Sequence, residues 1–179
     1  EPKSLHEALD SYYESYRGHS SRMWAEKLGL DRFQEGDGGL VSELTSVMQL
    51  TETDMTILFR TLSTIQEPDS NHLTRAFYKE EEIPKNEWNS WLDRWWDRVD
   101  GRPDRESMLN ANPKYVLRNW MAQLAIDAAE KEDYSVATAL YEMLKKPYEE
   151  QPGNEEKWFS RRPEWARNRV GCSMLSCSS

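Results

Sequence analysis

The chain has 179 residues and carries 23 Lys and Arg against 32 Asp and Glu, a formal net charge of −9. That length fits one domain with a single core, and the acidic excess argues against nucleic-acid or anionic-membrane surfaces, which need clustered Lys and Arg. Apolar stretches of only a few residues leave no transmembrane span, and eight Trp, eight Tyr and four Phe argue against disorder despite a hydrophobic fraction of 37 %.

The chain opens Glu1-Pro2-Lys3-Ser4 with no initiator Met, signal region or presequence, and reads as a processed chain or part of a longer one. Ser4-Leu5-His6-Glu7 has the capping-box pattern, in which hydroxyl and carboxylate each satisfy a free backbone N–H. Behind it Leu5, Leu9, Tyr12 and Tyr16 share one helical face, continued by Met23 and Leu28 to Gly29. Glu35-Gly36-Asp37-Gly38-Gly39 reads as a flexible loop. Leu40, Leu44, Val47 and Met48 mark a short helix; Thr51 and Asp54 cap the next, whose apolar face is Met55, Leu58, Phe59, Leu62 and Ile65. A polar break around Pro68 precedes a weak helical stretch holding Leu73 and Phe77.

Pro84 suits a first helical turn, and Trp88, Trp91, Leu92, Trp95 and Val99 follow at helical spacing until Gly101-Arg102-Pro103. Asn112-Pro113 opens the strongest predicted helix, with Leu117, Trp120, Met121, Leu124, Ala125 and Ala128 on one side. A further helix holds Val136, Leu140, Met143 and Leu144 and stops before Pro147. The expected fold is all-α, an irregular bundle of about six to eight helices joined by loops of ordinary length. Residues 1–146 form the helical domain, and 147–179 an irregular C-terminal segment with a thiol-bearing tail.

Few residues carry recognisable chemistry. Gly36, Gly38 and Gly39 lack the following Lys-Ser/Thr pair of a phosphate-cradling loop, and Asp37-Gly38-Gly39 is not the Asp-Phe-Gly metal element of kinases. His6, His19 and His72 show no metal-ligand spacing. Glu80-Glu81-Glu82 reads as a solvated acidic turn. Trp88, Trp91 and Trp95 run beside Asp93, Asp97 and Asp100, which favours a packed core over base stacking. Trp96 lies outside that row and, if exposed, would anchor a partner.

Two Cys, Cys172 and Cys177, both sit near the C-terminus, which excludes a disulfide-stapled secreted scaffold and points to an intracellular protein. They are the candidate redox residues: exposed thiols in a Ser-rich tail titrate and oxidise readily. Arg161, Arg162, Arg167 and Arg169 just upstream favour thiolate if they fold back over the tail. The competing reading is two inert thiols on a passive end.

Asn112-Pro113-Lys114-Tyr115-Val116-Leu117-Arg118-Asn119 resembles the N-P-K-x-x-L-R-N helix of the selenoprotein O family. Arg162-Pro163-Glu164-Trp165-Ala166 and the ending Ser176-Cys177-Ser178-Ser179 resemble its P-E-W-A segment and its C-terminal Cys/Sec-Ser-Ser. Lys146-Pro147-Tyr148 fits midway; the resemblance is strong over 112–179 and looser over 1–111, where Glu26-Lys27-Leu28-Gly29-Leu30 is the best landmark.

The resemblance implies the C-terminal helical region of a larger kinase-like protein that moves AMP from ATP onto Ser, Thr or Tyr of protein substrates, with Mg or Mn. The family's nucleotide-, metal- and phosphate-binding residues lie N-terminal to everything present here, so no catalytic, cofactor-binding or metal residue is expected in this chain, which should be inactive alone. Its implied partners are the kinase-like N-terminal part and protein substrates. The location implied is mitochondrial in a eukaryote and cytoplasmic in a bacterium. Cys177 stands where members carry Cys or selenocysteine. The chain departs from the family's close C-x-x-C/U spacing, so the expected redox partner of Cys177 is upstream rather than Cys172. The reading from another class is a free-standing helical interaction module without catalytic activity.

Overall fold

The computed structural model describes residues 2–172, with side chains from Ser4 onward. Among them lie eight α-helices and three 3-10 helices, and no strand, so the chain is all-α. The helices are α1 (Pro2–Leu28), α2 (Asp37–Met48), α3 (Met55–Leu62), α4 (Lys85–Arg98), α5 (Arg105–Ala111), α6 (Asn119–Ala129), α7 (Ser135–Leu144) and α8 (Pro152–Trp158). The 3-10 segments are Ser70–Ala76, Glu80–Glu82 and Glu164–Ala166.

α1 already includes Pro2, so Ser4 stands inside its first turn instead of capping it. The apolar face shared by Leu5, Leu9, Tyr12 and Tyr16 is exposed, Leu5 at 64 %. Only the last turns enter the core, through Ala25 and Leu28. Gly29 ends the helix at φ 65°, a conformation cheap only for glycine. A side chain there would also collide with Met108 Sδ and the backbone nitrogen of Asp104, 2.8 and 2.9 Å from its Cβ. The start of α5 sits against this end, with Asp104 N–H donating to the Gly29 carbonyl at 2.9 Å.

The glycine-rich segment is not a loop throughout: α2 starts at Asp37, so Gly38 and Gly39 are helical. Gly36 supplies the turn at φ 98°. The buried Asp37 carboxylate accepts Gln34 N–H at 2.7 Å and pairs with Arg98 Nε at 2.8 Å. Asp54 caps α3 by accepting Ile57 N–H at 3.1 Å, while Thr51, expected to share that role, is buried with no partner for its hydroxyl. His6, His19, His72 and the three glutamates Glu80, Glu81 and Glu82 are exposed.

The core centres on α4, which buries Trp88, Trp91, Leu92 and Trp95. Trp91 and Trp95 stack at 5.9 Å with planes 4° apart, and Trp88 meets Trp91 edge-on at 6.2 Å. Their N–H groups tie α4 to its neighbours: Trp91 Nε1 donates to the Leu40 carbonyl at 2.9 Å and Trp95 Nε1 to that of Leu28 at 2.8 Å. Trp96 is half-buried, edge-on to Trp95 and packed over Gly101, so it is not an exposed anchor.

The helix expected to open at Pro113 opens at Asn119 instead, and residues 112–118 are non-helical, with bends at Asn112 and Lys114. Leu117 is consequently 54 % exposed, whereas Trp120 and Met121 are buried. The cause is tertiary. Asn112, Lys114 and Arg118 each bond a distant partner from this non-helical segment, so tertiary contacts override local helix propensity. α6 and α7 pack on each other through a short turn in which Glu132 has φ 63°.

Candidate functional site

The buried polar groups gather around the Asn112-Pro113-Lys114 segment and the chain that follows Pro147. Asn112 is fully buried; its Nδ2 donates to the Lys27 carbonyl at 2.9 Å, and its Oδ1 accepts Lys27 Nζ at 2.9 Å. Arg60 rises from the apolar face of α3 and is 4 % exposed. Its guanidinium donates to the carbonyls of Leu109, Asn112 and Tyr148, each at 3.0 Å, and to Glu150 Oε1 at 2.7 Å. Lys114 Nζ bonds Glu150 and, at 2.8 Å, Glu155 Oε2. Arg75 Nη1 holds the other oxygen of Glu155 at 3.0 Å and its Nη2 donates to the Phe159 carbonyl at 2.7 Å. Three cations thus meet two carboxylates in a cleft of about 380 Å³.

Burial opposes the Lys114 charge, but hydrogen bonds and attraction from Glu150 and Glu155 outweigh it and hold the ammonium above its ordinary pKa. Burial likewise pushes Glu150 up, yet Lys114 and Arg60 bring its carboxyl below the usual range. Glu155 is lowered first by the Lys114 hydrogen bond and then by Arg75. Lys27, whose ammonium faces Asn112 Oδ1 and the Phe59 ring, has its pKa depressed by burial.

The same segment is fastened by its backbone. Lys114 and Tyr115 N–H both donate to the Pro147 carbonyl, at 2.8 and 3.0 Å, and Tyr115 Oη donates to the Gln151 carbonyl at 3.0 Å. Trp120 stacks on Trp158 at 5.9 Å. Arg118 clasps the buried Asp54 carboxylate with both nitrogens, Nη2 to Oδ1 at 2.8 Å, so it serves as an ion-pair partner within the fold.

Beyond α8 the chain is strapped down by arginines. Arg161 donates to the Phe77 carbonyl; Arg162 and Arg167 hold the two oxygens of Glu52 at 2.7 and 2.8 Å; Arg169 holds Asp127 at 2.7 Å. These four guanidinium groups therefore bind carboxylates and a carbonyl of the helical body. Residues 147–172, expected to be irregular, include α8 and the Glu164–Ala166 turn. Cys172 ends the strap: its N–H donates to the Arg169 carbonyl at 3.1 Å, its carbonyl accepts Asn119 Nδ2 at 3.3 Å, and it is 7 % exposed. An exposed thiol was expected there; Cys172 is a buried one. Cys177 lies outside the described residues.

Among the described residues no three His, Cys, Asp or Glu converge to hold a metal ion, and no helix is long and apolar enough to cross a membrane. Arg60, Arg75, Glu150 and Glu155 went unnoticed in the sequence. Arg60 alone left a signal there, a single cation inside the apolar run Ile57-Leu58-Phe59 to Leu62.

Comparison with known proteins gives a consistent picture. The family model described as "Protein adenylyltransferase SelO" matches residues 1–145, including the stretch where the motif resemblance is looser. A protein nucleotidyltransferase YdiU from Flavobacterium johnsoniae is 46 % identical over 192 residues, covering 100 % of this chain and 37 % of the relative. Proteins of the same name from Aromatoleum aromaticum and Rhodopirellula baltica are 44 % and 41 % identical, covering 98 % and 100 % of this chain and 35 % and 37 % of themselves. The chain spans little more than a third of the length of these relatives. With the family model matched over most of its length, the chain belongs to the SelO protein adenylyltransferase family.

Proposed function

We propose that this chain is the C-terminal helical region of an enzyme that transfers AMP from ATP to Ser, Thr or Tyr hydroxyls of proteins. In that reading it buttresses the kinase-like part, which supplies the ATP and Mg or Mn sites, within the cytoplasm of a bacterium or a mitochondrion. The observation that carries it is the family match on a chain that spans about a third of its relatives. Nucleotidyl transfer depends on positioned phosphate- and metal-binding groups, and in this reading those groups belong to the remainder of the protein.

Titration of the isolated chain with Mg²⁺ and ATP should therefore give no saturable heat, while the full-length protein should label protein substrates with AMP from α-labelled ATP. A micromolar binding isotherm from this chain alone, or a full-length protein that transfers no AMP, refutes the reading.

The tail adds a regulatory element to the same proposal. Cys177 is its reactive thiol, and its partner is a cysteine of the remainder of the protein. The burial of Cys172 supports that choice, since a thiol must reach its target to exchange. Disulfide formation removes two protons and two electrons, which a peroxide or another disulfide accepts. Peptide mapping of the oxidised full-length protein should find Cys177 joined to an upstream cysteine; a free Cys177, or one joined only to Cys172, refutes it.

A further inference from the structure

α1 carries an apolar seam that the described structure leaves uncovered. Leu5, Leu9, Tyr12, Tyr16, His19 and Met23 recur at spacings of 4, 3, 4, 3 and 4, the alternation by which one helix packs along another. All six are exposed, over a helix that would run about 40 Å at its usual rise. Exposed apolar surface of that extent, continuous along one element, marks an interaction site. A shallow groove of about 440 Å³ lies on the same face, lined by Tyr16, His19, Met23 and Glu26 among others.

We propose that this seam docks on the part of the family protein that lies outside this chain, against an apolar helical stripe with uncharged or acidic flanks. The inference rests on the reading of the chain as one region of a longer enzyme. Relatives align with 98–100 % of this chain, α1 included, yet about two-thirds of their own length lies elsewhere. The family model likewise starts at residue 1, so α1 is part of the shared architecture. Charge defines the occupant further. The positions flanking the seam from Leu5 to Met23 are His6, Ala8, Tyr13, Ser15, Ser20 and Arg22, with no carboxylate among them, and Glu26 follows one turn beyond Met23.

Hydrogen exchange tests this directly on the isolated chain and on the full-length protein. Amides of residues 4–23 should exchange at least about tenfold more slowly in the full-length protein, because an unsupported helix opens readily. Leu9→Asp with Tyr16→Asp should abolish that protection while leaving exchange around Trp88–Trp95 unchanged. In the isolated chain the same pair should not move the urea midpoint. Equal exchange at both lengths overturns the proposal, as does slow exchange in an isolated monomer. Protection in an isolated chain that sediments as a dimer makes a second copy the occupant and overturns it too. AMP transfer, assayed in parallel, separates the two readings. Full protection without transfer supports the seam and refutes the catalytic assignment; transfer without protection does the reverse.

Discussion

Trp88, Trp91 and Trp95 look interchangeable along the α4 face, yet their indole N–H groups differ. Trp95 Nε1 donates to the Leu28 carbonyl, one of the last-turn acceptors of α1 that has no intrahelical donor, whereas Trp88 Nε1 is buried without a partner. Replacing either by Phe removes a similar volume. Trp95→Phe also strands the buried Leu28 carbonyl, while Trp88→Phe removes a donor that already pays desolvation without return. The Trp95 change should therefore cost about 1–3 kcal/mol more than the Trp88 change, read as the difference between their urea midpoints. Equal midpoints would show that Leu28 finds another donor.

Among the elements, the segment around Pro113 gives the sharpest contrast between pattern and fold. Helical spacing groups Leu117 with Trp120 and Met121, but the backbone over 112–118 is not helical and Leu117 is exposed. Leu117→Glu should accordingly change stability by less than about 0.5 kcal/mol. Trp120→Ala should cost about 3–5 kcal/mol, because it removes a buried ring stacked on Trp158. Urea unfolding of the two variants checks both; a costly Leu117→Glu would mean that the segment is helical after all.

The same contrast shows how far patterns carry. α3, α4 and α7 were legible because most of their apolar residues face the core of this very chain, Met55 at the start of α3 being an exposed exception. α1 was legible as a helix but misleading as a core element, since periodicity reports an apolar face and not what covers it. α5 was missed: after Asp104, its cap, its seven residues bury only Met108, too short a run for any period to show. The cluster at Lys114 was invisible for another reason. Its partners lie 36 and 41 residues away, and nothing local distinguishes Glu150 or Glu155 from the solvated glutamates around them.

On the scale of the molecule, that cluster ties stability to pH. Glu150 and Glu155 titrate below their ordinary value of 4.5 in the fold. Their contribution is complete above that unfolded value and is lost as pH falls through the lower folded values. Lys114 has the opposite sign: its raised pKa stabilises the fold below 10.5 and that gain is lost as pH climbs through the folded value. Unfolding midpoints measured against pH should thus fall on the acid side below about 4.5. Glu150→Gln with Glu155→Gln should flatten that limb while lowering the midpoint at pH 7. An acid limb unchanged in the double variant would assign it to other carboxylates.

The Pro147 carbonyl, receiving Lys114 and Tyr115 N–H together, also sets an order of events during synthesis. A nascent chain leaves the ribosome N-terminus first, and its early parts begin to fold before the late ones emerge. Here α3 and the 112–118 segment cannot close early, because Arg60 and Lys114 wait for Glu150 and Glu155, and Trp120 waits for Trp158. A product terminated at Lys146 retains essentially the whole stretch that the family model matches, yet it presents unpaired cations and a bare indole. Such a product should show helical circular dichroism without a cooperative thermal transition, the state that cellular quality control removes. Residues 147–172 would then act as a proofreading step, admitting to the folded pool only chains whose translation has passed α8 and the arginine strap that follows it.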